Sequence, residues 1–305
     1  MIGFVLMEGE PAYSEKRRFY QGQIDRLRAG GQAAGLYEFS DDARHLPGDG
    51  AIAVFDVACR KFLRRHLDER QIPHAPIIWN PYIFFQTDHH WIRTSDLVVS
   101  ALAPGRESGR MLQKLALGKS VETLRISAEY LDFNPSARNI VDHLQVSRIG
   151  CFGGSQFAID FIKGILTRGW PELAECEWVD LDAEALEEWR DRLVGCDVLI
   201  SLRGLCGSAL PLLDAMASDI VVAGMHGGGL RDVACPENGI WINSATLETV
   251  AEELSDGLLR LAADPVWHRQ LIDRAFETAI ENSVDATFGD NLEVWKRLTE
   301  RALSA

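Results

Sequence analysis

Three short stretches join glycine to a polar or basic side chain in a pattern suited to holding an anionic ligand. They are Gly150-Cys-Phe-Gly153-Gly154-Ser155, Ser201-Leu-Arg203-Gly204-Leu-Cys206-Gly207-Ser208 and Gly224-Met-His226-Gly227-Gly228-Gly229. Each follows an apolar, strand-like run. Glycine lets a backbone approach a phosphate closely, and a helix that follows offers free N–H groups and a partial positive charge. The first stretch lacks the G-x-G-x-x-G spacing, so Gly153, Gly154 and Ser155 fit either a phosphate contact or the shape of a strand-to-helix turn. In the second, Arg203 adds charge and Ser208 suits the cap of a helix beginning near Leu210–Pro211. Asp214 stands in that helix among Leu212, Leu213, Ala215, Met216 and Ala217. A solvated acid favoured by the helix dipole is one reading; a buried acid needing a partner such as ribose hydroxyls is the other. His226 suits contact with phosphate or acceptor, or a plain loop. In the first half Trp79-Asn80-Pro81-Tyr82 ends a strand, with Asp88, His89 and His90 downstream.

These loops need a framework, and the hydrophobic pattern supplies one. Strand-like runs at Ile2–Met7, Ala51–Val57, Pro76–Trp79, Asp96–Leu102 and Glu122–Ile126 alternate with helical periodicity at Lys16–Ala29, Ala58–Arg70 and Arg106–Gly118. After a break near 135–147 the theme repeats. Strands are expected at Arg148–Phe152, Cys176–Val179, Asp197–Ser201, Ile220–Ala223 and Ile240–Ile242. Helices are expected at Gln156–Thr167, Ala183–Leu193 and Leu210–Ala217, after Gly229, from Leu247, from Asp264-Pro265, and over Leu292–Ala302. Such alternation is the mark of βαβ units and parallel sheets, whose ligands sit beyond the carboxyl ends of the strands.

The bulk numbers bound the function. A chain of 305 residues suits two domains of about 150 each. A net charge of −14 disfavours nucleic acid, whose phosphates select basic surfaces. No apolar run approaches the ~20 residues of a membrane span, and the seven-residue apolar start reads as a first strand, so a cytoplasmic location is expected. The six cysteines show no CxxC or Cys/His ligand spacing, so buried free thiols are expected and no metal.

Residues 196–218, Cys-Asp-Val-Leu-Ile-Ser-Leu-Arg-Gly-Leu-Cys-Gly-Ser-Ala-Leu-Pro-Leu-Leu-Asp-Ala-Met-Ala-Ser, with Ile220-Val-Val-Ala223 and the glycine run after them, resemble the retaining family-four (group 1) glycosyltransferases. The similarity continues through Glu237-Asn-Gly239 and the Leu247–Leu261 helix to Ala263-Asp-Pro265. It reaches back to Arg148–Ser155 and to Leu131-Asp132-Phe133-Asn-Pro135, and so covers about half the chain. The first half matches only in its alternation of elements. The resemblance implies a GT-B fold, two Rossmann-like parallel-sheet domains facing across a cleft. The acceptor-side domain would span 1–145 and the nucleotide-sugar domain 146–285, with a helix at 286–305 packing back on the first. It implies transfer, with retention, from a nucleoside-diphosphate sugar to a glycan, lipid-linked or small-molecule acceptor, without an obligatory metal or other cofactor. Gly153, Gly154, Ser155, Gly207 and Ser208 would then cradle the diphosphate, Arg203 neutralise it and Asp214 hold the ribose. Asn80 and His226 would face the reacting sugar. Cys206 stands where the family has a glutamate that contacts that sugar. Gly154 stands at its phosphate-binding arginine, Phe157 or Ala158 near its lysine, and Asn80 at its cleft-facing histidine. These departures fall on chemistry and leave the scaffold intact, which admits an alternative: a non-catalytic GT-B protein that partners an active transferase.

Overall fold

The computed structural model describes residues 1–10, 14–40, 46–48, 50–58, 61–79, 90–115, 118–128, 146–181, 191–202, 210–226, 231–243 and 246–304. The chain divides into two compact units. One gathers Met1–Ile126 and Asp285–Ala305; the other gathers Ser127–Gly204 and Ala209–Val284.

The first unit is built on six parallel strands in the order β2-β1-β3-β4-β5-β6. They are β1 (Ile2–Met7), β2 (Ala34–Phe39), β3 (Ile52–Asp56), β4 (His74–Ile77), β5 (Ala101–Pro104) and β6 (Val121–Leu124). Helices α1 (Glu15–Ala29), α2 (Lys61–Glu69), α3 (His90–Thr94) and α4 (Arg106–Lys114) lie between them in sequence. The central strands read as unbroken apolar runs because parallel strands are covered on both faces; Phe4, Val54 and Phe55 are fully buried. Strand β2 is missing from the sequence-based expectation. It sits at the sheet edge, only its first and last residues are buried, and Gly35 and Glu38 interrupt its apolar pattern. Edge strands carry no obligatory hydrophobic run.

The last helix, α10 (Val284–Ser304), is longer than the amphipathic stretch at Leu292–Ala302 predicts. Within the first unit, the indole N–H of Trp295 donates to Gln23 Oε1 at 3.0 Å, and its ring meets Phe4 edge-on at 5.3 Å. Asn291 pairs reciprocally with the backbone of Arg125, accepting from its N–H at 2.8 Å and donating to its carbonyl at 3.0 Å. Arg297 and Arg301 both close on the buried carboxylate of Glu122, at 2.8 and 2.7 Å.

The second unit has a parallel sheet in the order β11-β10-β9-β7-β8. These strands are β7 (Arg148–Phe152), β8 (Glu177–Asp180), β9 (Val198–Ser201), β10 (Val221–Gly224) and β11 (Ile240–Trp241). Helices α5 (Gln156–Gly169), α6 (Pro171–Ala174), α7 (Leu210–Ala217), α8 (Leu247–Ala263) and α9 (Pro265–Glu281) belong to it. Asp264 caps α9 by accepting from Trp267 N at 3.0 Å, with Pro265 at the first helical position. A helix expected after Gly229 does not form over the described residues there, which run from Arg231 to Asn238 as turns. The side chain of Asn238 takes up the backbone groups of Val233 and Cys235 instead. Most of the helix expected at Ala183–Leu193 falls on residues 182–190, outside the described residues. Among the described residues no helix is long and apolar enough to cross a membrane.

Two predictions follow from the buried side chains. Trp295→Ala removes a fully enclosed indole and should cost about 3–5 kcal/mol, read as a lowered urea midpoint. His74 is fully buried between Phe55 and Trp91, with Nδ1 3.0 Å from the carbonyl of Ile72, and desolvation lowers its pKa below the ordinary 6.5. His268 is lowered too, by desolvation first. Both histidines are therefore kept neutral by the fold, while the unfolded chain takes up protons first. The stability they support should be whole above pH 6.5 and decline as pH falls below it. The urea midpoint should show that slope, and a His74→Leu/His268→Leu variant should show a shallower one.

Candidate functional site

The register of the second sheet sets its carboxyl edge. Phe152 pairs with Ser201, Ser201 with Gly224, and Gly224 with Trp241. These residues form one lateral row, and because every strand is parallel the chain leaves all of them on the same side. The glycine loop after β7, the segment after β9 and the segment after β10 thus start next to one another, where α/β sheets bind ligands.

At β7 the chain turns through Gly153, whose φ of 78° lies in the left-handed region. Ser155 then caps α5, its Oγ accepting from Ala158 N at 3.2 Å. Gly154 answers a packing demand. A β carbon there would meet Leu202 at 3.0 Å and Ile159 at 3.3 Å. Leu202 is the first residue beyond β9, so the two neighbouring loops are fitted to each other at a position that admits only glycine without adjustment. An arginine, which the family resemblance places here, would require Leu202 and Ile159 to give way by a few tenths of an ångström.

After β9 the chain returns as α7, all of whose residues are buried, Asp214 included at 1% exposure. The solvated-acid reading of Asp214 is therefore wrong. The hydroxyl of Ser218 donates to the carbonyl of Asp214 at 2.6 Å, and Asp219 takes a left-handed φ of 61° to end the helix. A carboxylate at this depth stays ionised only where donors meet it.

The exit of β10 is the tightest point. Gly224 has φ 103°, and a β carbon on it would overlap the carbonyl of Ser201. That carbonyl accepts from Met225 N at 2.8 Å, while the carbonyl of Gly224 accepts from Ile242 N at 2.9 Å. His226 follows, half-buried, with its ring 6.3 Å from that of Trp241 and inclined by 59°. Trp241 is itself fixed. Its indole N–H is shared between the carbonyl of Cys235 at 2.8 Å and Oδ1 of Asn238 at 2.9 Å.

The structure thus brings Gly153, Gly154, Ser155 and His226 to adjoining loops at one sheet edge, with Asp214 in the buried helix that follows the middle loop. Asn80, Arg203, Cys206, Gly207 and Ser208 lie outside the described residues. So do Asp88 and His89, while His90 is exposed at the start of α3. Asn238 and Trp241 are assigned no role from the sequence, where Glu237-Asn-Gly239 enters only through the family resemblance and Trp241 only within the short strand Ile240–Ile242. The signal was present, since an indole two residues beyond an Asn-Gly pair offers a donor to the asparagine. Among the described residues no group of three His, Cys, Asp or Glu side chains is placed to hold a metal. The thiols of Cys176 and Cys196 donate to the carbonyls of Val146 and Arg192, each at 3.2 Å. Burial pushes the Cys196 thiol up to about 11 and raises that of Cys176, so both stay protonated and inert.

No protein-family model matches the chain, and neither does any curated protein. Solved structures do. The chain is similar to sucrose-phosphate synthase from Thermosynechococcus elongatus at a TM-score of 0.67 and 11% identity, covering 98% of this chain and 99% of that one. It is similar to Anabaena HepE in complex with UDP at a TM-score of 0.63 and 11% identity, covering 97% and 99%. The pneumococcal O-GlcNAc transferase GtfA, in complex with UDP and GlcNAc, matches at a TM-score of 0.60 and 12% identity over 85% of this chain. The chain spans 58% of the length of that transferase. The fold is GT-B. At such identities the likeness establishes the architecture, two parallel-sheet α/β units, and leaves the chemistry to the residues.

Gly224→Ala tests the tightest point of the site. The added methyl must displace a backbone carbonyl and accept a positive φ. The variant should lose at least about 2–4 kcal/mol, seen as a lowered melting temperature or as insoluble expression. Gly9→Ala, with a positive φ but open space around it, should cost less.

Proposed function

We propose that the chain is a glycosyltransferase that uses a nucleoside-diphosphate sugar as donor and a hydroxylated acceptor, a glycan, a lipid-linked sugar or a small molecule. The observation that carries the reading is the lateral row Phe152–Ser201–Gly224–Trp241. It starts three ligand-suited segments next to one another at the carboxyl edge of the second sheet, in a fold shared with glycosyltransferases.

In this reading the backbone around Gly153, Gly154 and Ser155 and the N-terminus of α5 meet the diphosphate. Gly207, Ser208 and Arg203 belong to the same cradle by resemblance. Asp214 holds the ribose hydroxyls and His226 adjoins the glycosyl phosphate. The bond from the anomeric carbon to the phosphate oxygen breaks, and the acceptor oxygen bonds to that carbon on the same face. The acceptor proton passes to the departing nucleoside diphosphate. Charge on that leaving group is met by fixed N–H dipoles and Arg203, with glycine in place of a second cation at position 154. No metal or other cofactor enters this scheme, and water-soluble catalysis in the cytoplasm suits it.

Gly154 also favours a second reading. A site that forgoes a phosphate-binding cation and carries Cys206 in place of an acid suits a GT-B protein that binds a nucleotide, or a transferase partner, without turnover.

Binding and turnover separate the two. Nucleoside diphosphates should raise the melting temperature of the wild type. Asp214→Asn should weaken their binding roughly 10- to 100-fold, as loss of a charge-assisted hydrogen bond of about 1.5–3 kcal/mol requires. Equal stabilisation of both proteins would remove Asp214 from the ribose. Donor consumption across a panel of nucleotide sugars supports transfer, whereas nucleotide binding with no consumption supports the second reading.

A further inference from the structure

Trp241 lies outside the three glycine-rich stretches, yet its indole N–H is held by two acceptors at the carboxyl edge of the second sheet. We propose that Trp241 is a positioning residue for His226, its indole held at the N–H by Asn238 and its ring lying beside the imidazole. The proposal rests on the reading of this edge as the nucleotide-sugar site.

The chain of contacts is continuous and every member is satisfied. On α9, the hydroxyl of Thr278 donates to the carbonyl of Arg274 at 2.9 Å, which leaves its oxygen free to accept. Asn238, 1% exposed, donates from Nδ2 to that oxygen at 3.0 Å and to the carbonyl of Val233 at 2.6 Å. Its Oδ1 accepts from Cys235 N at 2.9 Å and from the Trp241 indole at 2.9 Å. Both donors and both lone pairs of the amide are used, so its orientation is determined by its partners. An indole bonded at its N–H is held along the direction of that bond as well as in its plane. Gly239 makes room for it, since a β carbon there would stand 2.8 Å from the indole edge and 2.8 Å from the carbonyl of Val222. The Asn238-Gly239 pair is therefore the mount of the indole.

The indole in turn lies next to the segment carrying His226. Trp241 pairs laterally with Gly224, and His226 is two residues further along. Its imidazole rests 6.3 Å from the indole, at an inclination of 59°. An aromatic ring beside a half-buried histidine limits the rotamers that its imidazole can take. Pre-orientation of this kind lowers the ordering cost of the reactive geometry and so acts on kcat more than on donor binding.

Trp241→Phe and Trp241→Leu, in the full chain, test this. The Phe variant keeps a ring but loses the N–H bond; the Leu variant loses both. Without any donor, carbethoxylation of His226 by diethylpyrocarbonate is followed by peptide mass spectrometry, with exposed His90 as internal reference. The ratio should rise several-fold in both variants. An unchanged ratio in Trp241→Phe would overturn the proposal, even if the melting temperature fell, because Trp241 would then fasten only its own loop. With a donor that is consumed, Trp241→Phe should lower kcat several-fold with little change in donor KM, and its effect should vanish in a His226→Asn background. Additive losses in that double variant would also overturn it. If the wild type consumes no donor, the transfer reading fails, while the carbethoxylation ratio still decides the positioning role.

Discussion

The carbonyl of Ser201 occupies the space where any residue other than glycine at position 224 would carry its β carbon. That approach seats β10 against β9 and passes the carbonyl to Met225 N. It also aligns Phe152, Ser201, Gly224 and Trp241 in one row. The starting points of the segments after β9 and β10, and the strand carrying Trp241, take their places from this contact. A side chain at 224 would push β10 away from its neighbour at the edge where the loops must meet, and the row would open between its second and third members. The second close fit, Gly154 against Leu202, does the same between the first and second loops. Two glycines thus serve as close-fitting spacers at the candidate site, and the conformational freedom of glycine matters there through the positive φ of Gly153 and Gly224.

The two units solve the same packing problem and differ in how their outer elements are tied. In the second, the turn region before β11 is held by one buried amide, Asn238, which stands in for the regular hydrogen bonds of a helix. In the first, α10 is held by a mixture of interactions across its length. A fully buried indole is bonded to Gln23, a side-chain amide is exchanged with the backbone of Arg125, and two guanidinium groups share the carboxylate of Glu122. The buried Glu122 is tolerable because both of its oxygens are met by cations.

Strands buried on both faces were legible because unbroken apolar runs of four to six residues bounded by turns mark strands covered on both sides. Val198–Ser201 and Val221–Gly224 lie within a residue of the expected bounds. Edge strand β2 was not legible, since half-buried residues need not be apolar. The turns at 231–238 were not legible either, because the pattern of Leu230, Val233 and Ala234 permits a helix until the Asn238 amide claims the backbone. At the site, residue types announced the glycine loops and the unusual acid of α7. The burial of Asp214 was foreshadowed by its apolar neighbours. The crowding of Gly154 by Leu202 depends on two loops separated by some fifty positions, and no local pattern foretells it.

Taken alone, the order of residues determined the alternation of strand and helix, the parallel sheets, and the three loops in which ligand chemistry is concentrated. Those follow from hydrophobic period and from glycine placement, both local properties. Only the tertiary structure decided which neighbours those loops have. Register places Trp241 beside Gly224, Leu202 crowds position 154, and a saturated amide holds the indole of Trp241. Each of these depends on a contact between residues distant in sequence, and its geometry exists only once the sheet has formed.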